Sequence, residues 1–306
     1  MTDTTDADTT GTDASGTAAT TGTAATAARL HRALEPLHSM SYFAPETEQA
    51  LVAVGLRPGR MCYFAGRAAA MGAVGPGVVT ATFYNFNPEL VARHLPRAWS
   101  LASPAAVVQA RFEAVDQALH RLLGPQQLAS VELAEAATLA RAAIEGIEGA
   151  GRPLYSGHAE LAWPDAAHLQ LWHAITLLRE HRGDGHLIAL VGHDLDGIDA
   201  IVSHTATGAG FVEAAAQRLR GWSDEQWAAS ISRLRERGVL EPDGLALTEA
   251  GRQLRSAVEA ETDRLAIAPW RQLGADRTER LVALAKPLSR LAVANGAFPP
   301  GVFARR

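Results

Sequence analysis

The stretch that decides the fold is residues 211–255, FVEAAAQRLRGWSDEQWAASISRLRERGVLEPDGLALTEAGRQLR. A short helix is predicted before Gly221, a residue suited to end one. Ser223 is a good N-cap for a second helix, in which apolar residues recur every three to four positions as far as Gly238. Thr248 caps a third helix. Three helices joined by short connections are therefore predicted in this stretch.

Between the second and third of these helices, the sequence predicts a very short β-hairpin. The tip is the turn signal Pro242-Asp243-Gly244, and apolar pairs flank it on both sides. The flanking residues are Val239, Leu240, Leu245 and Leu247. This order of elements, with Leu247-Thr248-Glu249-Ala250-Gly251 opening the last helix, resembles the winged-helix module of MarR-type regulators. The resemblance implies a winged-helix unit over about 211–255.

A wider resemblance covers residues 40–300. The chain is similar to a large actinobacterial family whose members are described only as helix-turn-helix proteins. The similarity is carried by Tyr42-Phe43-Ala44-Pro45-Glu46, Arg67-Ala68-Ala69, Phe83-Tyr84-Asn85, 178–186 (LREHRGDGH) and Thr262-Asp263-Arg264-Leu265-Ala266. This resemblance implies a fold more than a function.

The remaining chain is predicted to be helical, so the fold class is mainly α, multi-helical, with one short hairpin. Asn87-Pro88 and Ser103-Pro104 are N-cap and first-turn pairs that begin helices. Residues 78–86 contain β-formers but lack an alternating partner strand, and they are interpreted as helix. Glycines and prolines are concentrated over residues 149–164, and we place the main domain boundary there. The predicted parts are a disordered tail (1–28), a helical domain (29–150) and a second helical domain with the winged helix and a C-terminal arm (151–306).

A second, degenerate helix-turn-helix is an alternative reading of residues 178–207. The run Arg182-Gly183-Asp184-Gly185 is interpreted as a helix end, with Gly183 as its cap. Pro36 is likewise interpreted as the end of the first helix. Two short helices, over 186–191 and 197–203, would then form the second module.

Composition bounds the classes of function. The net charge is -5, yet residues 205–306 hold 15 Arg and Lys against 12 Asp and Glu, a mildly basic part that permits nucleic-acid contact. Cys62 is the single cysteine, which excludes an internal disulfide. No apolar run has the length of a membrane-spanning helix, and residues 1–26 lack the features of a signal peptide. A cytoplasmic protein without membrane contact is expected.

The winged-helix resemblance implies a ligand-responsive, DNA-binding transcriptional regulator. In such modules the second helix enters the major groove, so Gln226 and Ser230 are the candidate base readers. Three arginines at the far end of that helix are candidates for phosphate contact, namely Arg233, Arg235 and Arg237. Acidic residues oppose this reading, because Asp224-Glu225 opens the helix and the hairpin tip carries Glu241 and Asp243. The alternative remains open that the module serves packing, dimerisation or ligand binding in place of DNA binding.

The alternative belongs to another class of function, a polar pocket that binds a small molecule. Aromatic and amide groups beside arginine are typical of such pockets, and the candidates are Arg67, Tyr84, Asn85, Arg179 and His186. The protein would then bind a metabolite, or act as an enzyme of specialised metabolism, without touching DNA. The same residues also fit a structural role at helix ends.

Neither a metal nor a cofactor is predicted. Seven of the eleven histidines lie between His158 and His204, but their spacing matches no common metal motif. P-loop, dinucleotide and serine-hydrolase motifs do not occur. An apolar stripe of Leu281, Leu284, Leu288 and Leu291 fits either a homodimer interface or intramolecular packing.

Overall fold

The computed structural model describes residues 24–299, and within this range the chain is built from fifteen α-helices joined by turns and short 3₁₀ helices. The first eight are α1 Ala24–Ser39, α2 Pro45–Ala53, α3 Arg60–Ala68, α4 Pro76–Phe83, α5 Pro88–Ala92, α6 Pro104–Leu128, α7 Val131–Ile144 and α8 Pro153–Ala159. The remainder are α9 Ala167–Gly192, α10 Gly197–Thr205, α11 Glu213–Arg220, α12 Asp224–Glu236, α13 Glu249–Leu265, α14 Ala268–Leu273 and α15 Ala275–Ala294. The mainly α prediction is confirmed.

The predicted N-terminal tail lies largely outside the described residues, and its last five positions, 24–28, form the start of α1. Pro36 does not end this helix, which continues to Ser39, so that expectation was wrong. None of the described helices combines the length and the apolar character needed to cross a bilayer.

Side-chain caps begin several helices where the sequence predicts them. Asn87 accepts a hydrogen bond from the backbone N–H of Glu89 at 2.9 Å and begins α5, and Ser103 accepts one from Ala106 at 3.2 Å and begins α6. At α12, Ser223 and Gln226 form a reciprocal capping box. These caps satisfy N–H groups that have no partner within the helix.

The largest core cluster surrounds α9 and combines side chains from α1, α6, α7, α14 and α15. Leu281, Leu284 and Leu288 are buried in this core, and Leu291 packs against it partly buried. The apolar stripe of α15 is therefore occupied by packing within the chain. A second cluster lies among α2–α5 and the start of α6, and a third joins the end of α9 to α10–α13.

The predicted β-hairpin is wrong, and with it the winged-helix assignment. Within residues 24–299 no β-strand forms, and the segment between α12 and α13 holds a single antiparallel bridge between Leu240 and Leu247. The start of α13 packs closely on this segment, since a Cβ at Gly251 would lie 2.0 Å from the carbonyl oxygen of Val239. Arg235 also binds the carbonyls of Glu241 and Gly244.

The second, degenerate helix-turn-helix is also wrong. Helix α9 continues through Arg182-Gly183-Asp184-Gly185 to Gly192, so the first of the two predicted short helices is its last part. Gly185 serves close packing rather than helix termination, since an added Cβ would lie 2.8 Å from Nη1 of Arg152 and 3.2 Å from Cβ of Leu265. The Arg152 guanidinium reaches past this glycine to the carbonyls of His181 and Leu265.

Candidate ligand cleft and helix-turn-helix unit

Helices α11 and α12 are joined by a turn of three residues, Gly221-Trp222-Ser223. Gly221 adopts the left-handed conformation, with φ 75°, which suits glycine. A Cβ at this position would also lie 2.7 Å from the side chain of Leu90. Two helices with a short glycine turn between them are the helix-turn-helix arrangement.

Helix α10 packs across α12 through a buried polar contact. Asp199 of α10 is 4% exposed, accepts a hydrogen bond from Ser230 at 2.5 Å and pairs with Arg233 at 2.7 Å. Ser230 is fully buried. The predicted base reader Ser230 thus faces α10, while Gln226 stays at the exposed N-terminal end of α12.

Arg233 and Arg235 of α12 and its C-cap residue, Arg237, all have partners within the protein. Arg233 is bound by Asp199, Arg235 by the carbonyls of the bridge segment, and Arg237 donates to the carbonyl of Asp194 at 2.6 Å. The side chains of Arg233 and Arg237 remain 45% and 35% exposed. Asp224 and Glu225 are exposed at the opening of the same helix.

The segment between α4 and α5 docks onto the helix-turn-helix turn. The indole of Trp222 donates to the carbonyl of Asn85 at 3.0 Å, and the side-chain amide of Asn87 donates to Gln226 at 3.0 Å. The backbone N–H of Asn87 also donates to the carbonyl of Arg220 at 2.9 Å. Residues far apart in sequence therefore hold the orientation of α11 and α12.

A cleft of about 1040 Å³ lies between α1, α9, α13 and the helix-turn-helix unit, and we call it the central cleft. Helix α10 and the last residue of α11, Arg220, form one wall. Ionisable groups from several helices line it: Arg32, Glu35, Arg179, Arg182, His186, His204, Arg220, Arg252, Arg255, Glu259 and Asp263. Apolar side chains, including Leu187, Leu190 and Phe211, complete the lining. This combination suits an anionic ligand with an apolar body.

Four of the five pocket residues chosen from sequence line the central cleft, namely Tyr84, Asn85, Arg179 and His186. Their functional groups are partly engaged: the Tyr84 hydroxyl donates to the carbonyl of Leu195 at 2.6 Å, and Nδ1 of His186 lies 2.8 Å from the Thr262 hydroxyl. Burial lowers the pKa of His186 to about 4, so its imidazole is neutral at pH 7.

The fifth residue, Arg67, lies behind the cleft in a buried ionic network. Glu180 is fully buried and accepts from Arg67 at 2.9 Å and from Arg179 at 2.9 Å. Burial by itself would raise the pKa of Glu180, but Arg179 and Arg67 hold it well below its usual range. Glu180 thus joins Arg67 to the arginine that faces the cleft.

Several polar atoms along the central cleft are buried without a hydrogen-bond partner in the described part of the chain. They are Nε and Nη1 of Arg255, Nε of Arg220, Nε of Arg182 and Oε2 of Glu35. Arg255 is 5% exposed, and its remaining nitrogen, Nη2, lies 3.3 Å from Glu259. Burying unpaired guanidinium groups is costly, so these N–H groups favour an anion in the cleft.

Sequence reasoning missed Glu35, Arg220 and Arg255. These residues lie on α1, α11 and α13, and each stands in an ordinary amphipathic helix. Arginine on a helix is usually solvated, and nothing local in the sequence marks these as buried. The packing of α13 against α9 and α1 brings them together.

One group of side chains on the other side of α9 could hold a metal ion. Asp116 and His120 of α6 and His168 of α9 place their ligand atoms within 4.8 Å of one another. Nε2 of His168 lies 2.6 Å from Oδ1 of Asp116, a hydrogen bond that accounts for their proximity without an ion. Sequence reasoning missed this group because the third residue comes from another helix.

The three-residue turn between α11 and α12, with α10 packed against both, defines a helix-turn-helix protein, a class that points in general to DNA-binding regulators. The chain belongs to a helix-turn-helix family, whose model matches residues 27–299. No curated protein and no solved structure matches it.

Proposed function

We propose that this protein is a ligand-responsive DNA-binding regulator whose helix-turn-helix unit is controlled by a small anionic molecule in the central cleft. One observation carries the proposal: Arg220 ends the first helix of the unit and also lines the cleft. A ligand in the cleft would therefore touch the DNA-binding unit directly.

The coupling is electrostatic. Arg220 of α11 and Arg255 of α13 face the same cleft with unpaired N–H groups. A bound anion would draw these two cations together and fix the helix-turn-helix unit relative to α13. A ligand shifts an equilibrium only by its differential affinity for two states. The two states of this proposal differ in the distance between Arg220 and Arg255.

DNA contact is assigned to α12. Gln226 stands exposed at its N-terminal end, where base edges would be read, and Arg233, Arg235 and Arg237 would exchange internal acceptors for phosphates. Ser230 is left out of this set because its side chain is buried against Asp199.

A gel shift against the DNA upstream of the protein's own gene tests this assignment. The double variant Arg233→Ala, Arg235→Ala should bind DNA more weakly, because roughly two phosphate contacts are lost. The slope of log affinity against log salt concentration should become shallower by about 0.9 for each lost contact. Arg264→Ala is the matched control, since Arg264 is an exposed arginine on α13 that pairs with Glu261. Equal slopes for the double variant and the wild type would contradict the assignment.

A second candidate is a small-molecule-binding protein or enzyme that does not touch DNA. The internal bonding of all three α12 arginines and the exposed Asp224 and Glu225 favour it. Organic carboxylates are screened by thermal shift against the wild type and Arg255→Met. A carboxylate that stabilises only the wild type, combined with no DNA shift at low salt with or without it, would select this second candidate.

A further inference from the structure

A separate cavity of about 260 Å³ lies among α2, α3, α6 and the 3₁₀ segment Met40–Tyr42, and we call it the inner cavity. The side chains that matter for its chemistry are Tyr42, Thr47, Glu48, Cys62, Tyr63, Arg67 and Arg111. Glu48 is exposed, and its carboxylate accepts a hydrogen bond from the backbone N–H of Gly59 at 2.7 Å. Arg67 forms part of its wall and pairs with Glu180, which joins it to Arg179 of the central cleft. The inner cavity shares none of the helix-turn-helix residues.

Arg111 is a buried cation that lacks a carboxylate partner. It is 6% exposed, and no carboxylate of the described residues lies within ion-pair distance of it. Its guanidinium stacks over Trp172, with 4.9 Å to the ring centroid, and Nη1 lies 3.5 Å from Nε2 of His158. Nη2 has no hydrogen-bond partner in the part of the chain that the structure describes.

The groups around Arg111 do not neutralise its charge. Burial holds the pKa of His158 well below its usual range, so this imidazole is neutral. Glu180 belongs to the same network, but Arg67 and Arg179 already bind both of its oxygens. Glu35 is a second carboxylate and lies 3.8 Å from Nε of Arg179. Three arginines therefore face two glutamates, and Arg111 is the one without a carboxylate partner among the described residues, which favours an added anion beside it.

A second unpartnered donor belongs to a residue that lines the same cavity. The hydroxyl of Thr47 is buried without a hydrogen-bond partner among the described residues, and Thr47 lines the cavity together with Arg111. The rings of Tyr42 and Tyr63 lie 5.5 Å apart and supply an apolar surface. At about 260 Å³ the space is smaller than the pockets that hold drug-sized ligands, which run from roughly 300 Å³ upward.

We propose that the inner cavity binds a small organic monocarboxylate. Its carboxylate accepts hydrogen bonds from Arg111 and Thr47, and its compact apolar body packs against Tyr42 and Tyr63. One unpaired guanidinium matches one negative charge, and the tyrosine rings favour an aromatic or short alkyl group over an inorganic anion. This site does not depend on the regulator proposal.

Cys62 provides a local reporter of occupancy. Its thiol lines the inner cavity, donates to the carbonyl of Arg57 at 3.1 Å, and is the single cysteine of the chain. Burial raises its pKa to about 11, so alkylation by iodoacetamide is followed at alkaline pH. A ligand seated in the cavity should slow this alkylation.

The experiment uses the full chain with acetate, benzoate and phenylacetate as probes, each paired with its neutral amide. Calorimetry should show that at least one carboxylate binds in the millimolar range or tighter and protects Cys62, while its amide binds about tenfold more weakly or not at all. Arg111→Met should lower carboxylate affinity at least about tenfold. Arg121→Met is the matched control on the same helix, because Arg121 pairs with Glu46 at the surface.

Three results would overturn the proposal. They are equal binding of carboxylates and amides, retention of affinity in Arg111→Met, and loss of affinity in Arg255→Met alone, which would place the carboxylate in the central cleft. If Arg111→Met does not fold, Thr47→Val and the Cys62 protection assay decide. Unchanged affinity in Thr47→Val together with unprotected Cys62 would then also reject the site.

Discussion

The arginines around Glu180 and the arginines of α12 occupy opposite environments in the same molecule. Arg67 and Arg179 bind a fully buried carboxylate, whereas Arg235 and Arg237 bind backbone carbonyls at the surface. The buried set has no water to replace a lost partner, while the surface set can exchange acceptors freely. A buried arginine that is bound by a carboxylate therefore holds the fold together, whereas a surface arginine can exchange its acceptor for a phosphate.

The largest expected effect comes from Glu180→Gln. The variant leaves Arg67 buried without a counter-charge and leaves Arg179 with Glu35, 3.8 Å away, so the free energy of unfolding at pH 7 should fall by about 3–5 kcal/mol. Urea denaturation followed by circular dichroism measures the change. The matched control is Glu135→Gln, whose side chain is 42% exposed and pairs with the exposed Arg280, so its loss should cost far less. Equal losses would show that burial does not separate the two networks.

A smaller effect of opposite sign is expected from Asp184→Asn. Burial raises the pKa of Asp184 from 3.8 to about 6, although the backbone N–H of Tyr155 donates to it at 2.9 Å. Between these two pKa values the folded state holds a proton that the unfolded state has lost. The free energy of unfolding therefore falls as the pH rises through this window, and the loss of stability persists above pH 6. The amide keeps an oxygen for Tyr155 and removes the charge.

The variant should therefore be more stable than the wild type at pH 7.5 by about 2–3 kcal/mol, and the difference should shrink as the pH falls toward 4. Denaturation curves at the two pH values measure it. A variant that is less stable at pH 7.5 would mean that the charge of Asp184 contributes favourably, and the buried region would then resemble the Glu180 network.

The smallest effect is expected from Arg235→Ala. This change removes two hydrogen bonds to the carbonyls of Glu241 and Gly244, and the carbonyls become available to water, so stability should fall by roughly 1 kcal/mol. Thermal unfolding measures the loss. A loss of stability as large as that of Glu180→Gln would contradict this expectation. It would show that the segment between α12 and α13 needs Arg235 as much as the core needs the Glu180 ion pairs.

The helices were predictable to the extent that their signals are local. Ser103, Asn87 and Ser223 cap helices where the sequence places them, because an N-cap needs only the backbone of the next three residues. The glycines of α9 do not end a helix as predicted, since Gly185 makes room for the side chain of Arg152, the residue before α8. The predicted hairpin was wrong because the segment between α12 and α13 forms a single bridge between Leu240 and Leu247 in place of two strands.

The central cleft was partly predictable. Tyr84, Asn85, Arg179 and His186 stand in segments where polar and aromatic groups cluster, and the structure brings them to one cleft. Arg220 and Arg255, which carry its unpaired N–H groups, have no such local mark. Neither has Arg111, whose isolation from any carboxylate follows from the packing of α6 against α9 and α3.

The sequence by itself determined the mainly helical fold and the positions of most helix starts, because capping and apolar periodicity act within a few residues. Tertiary structure alone decided which charges are buried, which arginines remain without a partner and where the cavities lie. Those properties depend on contacts between helices distant in the chain, where the desolvation of a charged group far exceeds any local preference of its residue type.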